Sequence, residues 1–182
     1  MTATAERAAV LDIAERSIQG VIGNDSDELH AVVHPRAVNR EARTEPPAAR
    51  GRGPRAFAAT GSWLAAAFDE LTWATEEHVI EGDLVVTSGR LSGRHTGDFV
   101  VWTPDGTVER AFAPTGRIFS VRQAHFQRVL DGLVVEHWAV RDDQGMAMQL
   151  GWIPPTIGYL VRCQRATMRA RREAARSGKA SS

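Results

Sequence analysis

Apolar positions along the chain change period once. From about Thr4 to Gly20, the stripe of Val10, Ala14, Ile18 and Val21 repeats at helical spacing, and Gly20 stands near its end. Asp25, followed three residues later by Glu28, starts a second short helix, SDELHAVVH, which Pro35 ends. AVNREARTEPPAARGRGP has little apolar patterning and reads as a mobile loop. PRAFAATGSWLAAAF then gives a third helix, with Pro54 in its first turn and Phe57, Leu64 and Phe68 spaced to meet a core.

From Leu71 the period shortens to that of strands. LTWATEEHVI, DLVVTSGRLSGRH, DFVVW, VERAF, RIFSVRQAHFQRVL and LVVEHWAV are separated by turn signals. Helices followed by a run of antiparallel strands predict an α+β domain, with three N-terminal helices covering one face of a single curved sheet. Asp131-Gly132 between apolar runs is the strongest hairpin signal. A two-residue turn places Leu130 opposite Leu133, and continuing that register sets His125 opposite Trp138 and Val121 opposite Asp142. Glu136, Trp138, Val140 and Asp142 then share a face with Val121, Gln123, His125 and Gln127. An acid, an imidazole and an amide on one sheet face point to a site, because buried polar groups are expensive without partners. The competing reading makes Asp142 a cap for the segment that follows, and His125 and Trp138 ordinary core residues.

Composition narrows the class. With 22 basic and 22 acidic residues in 182, the net charge is zero, and nothing overall points to nucleic acid or to a membrane. The lone Cys163 suits a reducing cytosol, and the N-terminus lacks a signal-peptide pattern, so the expected location is cytoplasmic. Charge is uneven only after Thr156, where seven Lys or Arg accompany one acid, Glu173. Ile157, Leu160, Val161, Gln164 and Met168 mark an amphipathic helix there, read as a packing helix with a solvated face. The expected organisation is a domain over 1–155 followed by a basic helix and tail over 156–182.

The ordered pieces GSWLAAAFDELTW, EGDLVV, RHTGDF, PTGRIFSV, DGLVVEHWAVRDD and QLG resemble the SnoaL-like polyketide cyclase family over about Ile13 to Gly151. The resemblance implies a cone-shaped α+β barrel with a deep apolar pocket, often dimerised through its sheet. It implies a small aromatic, polyketide-like substrate and an intramolecular aldol ring closure without cofactor or metal. In that family an aspartate is the acid-base residue, and the role is carried onto Asp142. His95 of the RHTG turn matches the family motif, and Asn39, Trp63 and Phe68 fall in family-like segments expected on the pocket wall. His125 and Gln123 join Asp142 by the hairpin register, with Trp138 as a platform for a planar substrate. Two departures stand out: Arg40 where the family commonly has histidine, and a longer WTPDGTVERAFA link.

Other constellations carry less. His30 and His34 sit four apart on the expected second helix, yet no third ligand accompanies them at informative spacing. GRGPR lacks the Lys-Ser or Lys-Thr ending of a phosphate loop, and nothing near Ser62 would activate it. Two rivals to a cyclase are a non-catalytic hydrophobic-ligand module and an epoxide or lactone hydrolase using the same pocket.

Overall fold

The computed structural model describes residues 3–180; Ser181 and Ser182 of the expected tail lie outside them. Three helices come first, α1 (Ala3–Ile22), α2 (Ser26–Val32) and α3 (Pro54–Ala67), with strand β1 (Val33–Asn39) and two 3-10 turns between the last two. Long strands follow: β2 (Phe68–Glu81), β3 (Leu84–His95), β6 (Ile118–Leu130) and β7 (Leu133–Arg141). Between β3 and β6 lies a short hairpin, β4 (Phe99–Trp102) and β5 (Val108–Phe112); α4 (Asp143–Leu150) and α5 (Ile157–Ala180) complete the chain. The main sheet has the order β1-β7-β6-β3-β2, antiparallel except for the β1–β7 edge pair, and β4–β5 form a sheet of their own. This is the expected α+β architecture of helices against a curved sheet.

Alternation along the strands sets the inward face. Val85, Thr87, Leu91 and His95 of β3 are buried, as are Phe119, Val121, Gln123, Gln127 and Val129 of β6. The largest core cluster joins Phe68, Trp73 and Phe119 to Leu150, Trp152 and Tyr159, so the sheet, α4 and α5 share one core. On the long helix α5, Tyr159 donates its hydroxyl to the Ala113 carbonyl at 3.1 Å, and Thr167 accepts from the Ala111 amide at 2.8 Å. Its basic face stays in solvent, where Arg169 pairs with Asp98 at 2.8 Å. Among the described residues no helix is long and apolar enough to cross a membrane.

Four local expectations are corrected. The segment from Val33 to Asn39, expected to end a helix and enter a mobile loop, is a strand pairing in parallel with β7. Its formation ends α2 at Val32, so His30 and His34 do not share a helix. The single sheet is two, because the longer link folds back as the β4–β5 hairpin. The fourth correction decides the site. Asp131 (φ 51°) and Gly132 (φ 75°) make the expected tight turn, and Leu130 pairs with Leu133 and Val129 with Val134. Arg128 then pairs with Glu136, leaving Val135 as an extra residue in β7. One bulged residue moves every later side chain to the opposite face.

Candidate functional site

Beyond the bulge, His125 lies opposite Ala139 and Gln123 opposite Arg141, so β7 turns His137, Ala139 and Arg141 inward. Trp138 and Glu136 face outward. Trp138 stacks on Phe126 with centroids 5.3 Å apart and lies beneath the Arg40 guanidinium, also at 5.3 Å. Arg40, the departure from the family pattern, also pairs with Glu136 on that face. The exposed Asp142 ends the strand as the N-cap of α4. Its Oδ1 accepts from the Gly145 amide at 2.7 Å, and its carbonyl accepts from Met146 at 3.0 Å. Asp142 and His125 therefore do not share a cavity.

The inward residues enclose a cavity of about 370 Å³ between the sheet, α1, α3, α4 and the β4–β5 hairpin. That size and a mostly apolar lining with few polar groups suit a small organic molecule. One wall is aromatic. Trp63 packs on Phe99 at 4.7 Å, Phe99 on Trp152 at 5.4 Å, and Trp152 on Phe112 at 4.2 Å with planes 14° apart. Phe68 joins them at 5.4 Å from Phe99, and all five rings line the cavity.

The facing wall is polar and linear. Gln123 Oε1 stands 3.1 Å from His125 Nε2, and His125 Nδ1 lies 2.9 Å from His137 Nε2. His137 Nδ1 is 3.0 Å from Asn39 Oδ1, which also accepts the Glu41 amide at 3.2 Å. That amide is an unambiguous donor, so it fixes the orientation of Asn39 and makes His137 Nδ1 a donor. His137 Nε2 must then accept from His125 Nδ1–H, which leaves a lone pair on His125 Nε2. Three gaps between two amide oxygens need three protons, and two neutral imidazoles carry only two. The neutral chain therefore presents the Gln123 amide N–H to His125, whereas a proton added at Nε2 is received by Gln123 Oε1. Reversal of one amide separates the base-ready chain from the proton-loaded one.

Burial favours the neutral form. The His125 pKa is lowered to about 4, by desolvation and then by the Arg141 charge. His137 falls well below its ordinary value through desolvation, then His125 and Arg141. Trp73 stands edge-on over the His125 ring at 4.7 Å and holds its plane.

Of the expected site residues, His125, Gln123, Asn39, Trp63 and Phe68 line the cavity, while Asp142, Trp138 and His95 do not. His95 is fully buried behind the aromatic wall, 5.4 Å from Phe68 and 5.3 Å from Trp152 in ring contacts. Its pKa is lowered to about 4, chiefly by desolvation. Sequence reasoning missed His137, Arg141, Phe99, Phe112, Trp152 and Glu45. The first two depend on the bulge, whose one trace is the triple apolar run Leu133-Val134-Val135 where strict alternation fails.

Residues 13–150 match the family model described as SnoaL-like polyketide cyclase. Aklanonic acid methyl ester cyclase DnrD of Streptomyces peucetius is 32% identical over 147 residues, covering 80% of this chain and 93% of its own. Nogalonic acid methyl ester cyclase of Streptomyces nogalater is 36% identical over 100 residues, 54% of this chain and 67% of its own. Among solved structures, TsrD from Streptomyces laurentii superposes with a TM-score of 0.63 at 26% identity, over 80% of this chain and 96% of its own.

Proposed function

Since the chain belongs to the SnoaL-like polyketide cyclase family, we propose that it closes a ring in an aromatic polyketide ester by an intramolecular aldol step, with His125 as the base. The observation that carries this reading is one cavity with stacked aromatic rings on one wall and a directed imidazole chain on the other. A planar conjugated substrate lies against Trp152, Phe112 and Phe99, which places its acidified C–H toward His125 Nε2. A methyl ester of a polyketide acid fits the class of molecule in the relatives' names.

His125 accepts the proton at Nε2, and Gln123 turns its amide oxygen to receive the new N–H. His137 and Asn39 keep the ring and tautomer fixed, as positioning residues. The lowered pKa keeps the imidazole neutral, and so competent as a base, near neutral pH. General base help of this kind contributes about 10²–10⁴-fold; holding the reacting carbons together in the cavity contributes the rest.

The test incubates the protein with aklanonic acid methyl ester and follows ring closure by chromatography. Wild type is expected to turn over, and His125→Gln to lose at least about 10² in kcat with binding within a few-fold. Saturable binding without ring closure by the wild type would make the chain a ligand-binding module and end this reading.

A further inference from the structure

Three carboxyl side chains line the cavity: Glu41, Glu45 and Asp143. Two of them have a counter-charge at the rim, since Arg141 reaches Glu41 at 4.0 Å and Asp143 at 3.4 Å. Glu45 differs. It follows the first 3-10 turn after β1 and is only 2% exposed. Thr60 of α3 donates its hydroxyl to Oε2 at 2.5 Å. Arg50 spends its Nε and Nη2 on the backbone carbonyl of Glu45, at 3.1 and 2.8 Å, not on the carboxyl. Among the described residues, no basic side chain forms an ion pair with that carboxyl.

A carboxyl placed this deep without a paired cation holds its proton more tightly than one in water. Desolvation raises the Glu45 pKa above the ordinary carboxylate value; the Thr60 hydrogen bond and the Arg141 charge oppose the rise, Glu41 adds to it, and Arg50 opposes it. His125 in the same cavity is displaced the other way. Two groups whose environments keep one protonated and the other neutral are an acid and a base by construction.

We propose that Glu45 is the catalytic acid of the ring closure, handing its proton to the oxygen of the carbonyl under attack. The proposal rests on the reading of His125 as the base. The substrate C–H bond breaks as His125 Nε2 takes the proton. The carbon's electron pair forms the new C–C bond at the carbonyl carbon, and the C=O π pair moves to oxygen. That oxygen takes the Glu45 proton and becomes a hydroxyl. The imidazolium and the carboxylate left behind regain their starting states by one proton passing from His125 to Glu45 through solvent. Nothing else is consumed. A residue needed only to receive the Thr60 hydroxyl would be served equally by an amide, which makes Glu45→Gln the informative substitution.

The full chain, Glu45→Gln and His125→Gln are each incubated with aklanonic acid methyl ester in D2O, and two rates are read from one sample. These are deuterium entry at the activated carbon, by mass spectrometry, and ring closure. Glu45→Gln is expected to keep deuterium entry within a few-fold of the wild-type turnover while ring closure falls by about 10² or more; His125→Gln loses both. Ring closure at the wild-type rate in Glu45→Gln overturns the role of Glu45 and leaves the cyclase reading standing, as does parallel loss of exchange. A wild type that closes no ring removes both. Thr60→Val decides the matter if Glu45→Gln fails to fold. Removing the hydrogen bond that lowers the Glu45 pKa must move the alkaline fall of kcat to higher pH, with Glu41, Arg50 and Arg141 unchanged around it. An unmoved fall overturns the proposal.

Discussion

Asp142 is the position where family resemblance and geometry part, and three substitutions there separate them. The carboxylate accepts the Gly145 amide at 2.7 Å and does not line the cavity. The fit is close: a Cβ on Gly145 would sit 2.1 Å from Asp142 Oδ2, so the glycine leaves room for the cap. Loss of an N-cap costs about 1 kcal/mol, within a range of about 0.5–2. For a chain of this size that lowers Tm by about 2–4 °C. Asn caps nearly as well as Asp, so Asp142→Asn loses only the carboxylate's interaction with the helix dipole, about 0.3–1 kcal/mol. The expected series is a small Tm change for Asp142→Asn, the full loss for Asp142→Ala, and a similar loss for Gly145→Ala. The Asp142→Ala, Gly145→Ala double variant should lose less than the two single losses added, since both remove one bond. Calorimetry supplies the Tm values, and ring closure of aklanonic acid methyl ester supplies kcat. All variants should turn over within a few-fold of wild type. A fully folded Asp142→Asn whose kcat drops by about 10² would refute the reasoning, because a cap that survives as Asn cannot explain such a loss.

Two further outcomes follow from the site. His125 and His95 both titrate near 4 in the folded protein against an ordinary 6.5, so the unfolded chain binds more protons between those values. Stability should fall as pH drops from 6.5 toward 4, by up to about 1.4 kcal/mol per unit for each histidine, and level off below. Glu45, raised in the fold, acts in the opposite sense, so the comparison to make is wild type against His125→Gln: thermal unfolding across that window should show a shallower slope in the variant, and equal slopes would count against the burial argument. Trp152, 6% exposed and stacked on Phe112, should cost about 3–5 kcal/mol when cut to Ala. Trp152→Phe should stay folded and weaken substrate binding, read by titration, more than it lowers kcat.

Most of the sheet was legible because its inner face is apolar and its outer face charged, as in β3, where the buried Val85, Thr87 and Leu91 are spaced by two. The Asp131-Gly132 turn was legible for a local reason: only residues tolerating positive φ make it. The bulge at Val135 was not. Its cause is tertiary, since β7 pairs with β6 on one side and in parallel with β1 on the other, and both ladders shift register near that residue. Reading β1 as loop removed the partner that would have exposed the problem. Glu45 was hidden in the same stretch. Pro46, Pro47 and the arginines around it read as solvated loop, whereas Arg50 in fact ties that loop to the Thr103 and Pro104 carbonyls at 2.7 Å each.

The bulge also explains how the site divides. The polar chain sits on β1, β6 and β7, inside the segment that matches the family model. The aromatic wall depends on parts that are local additions: Phe99 and Phe112 come from the β4–β5 hairpin, and Trp152 follows the last matched residue. Helix α5, wholly beyond the match, fixes that hairpin through bonds from Tyr159 to Ala113, from the Ala111 amide to Thr167, and from Arg171 to the Val108 carbonyl at 3.1 Å. Its cluster of basic residues leaves the outer side solvated, so the helix adds rigidity to the ring-stacking wall without closing the cavity with charge. The groups that move protons and the groups that shape the substrate thus stand on separate scaffolds. Changes in the hairpin or α5 should therefore alter which planar molecule fits, while changes on β6 and β7 should alter whether its carbon loses a proton.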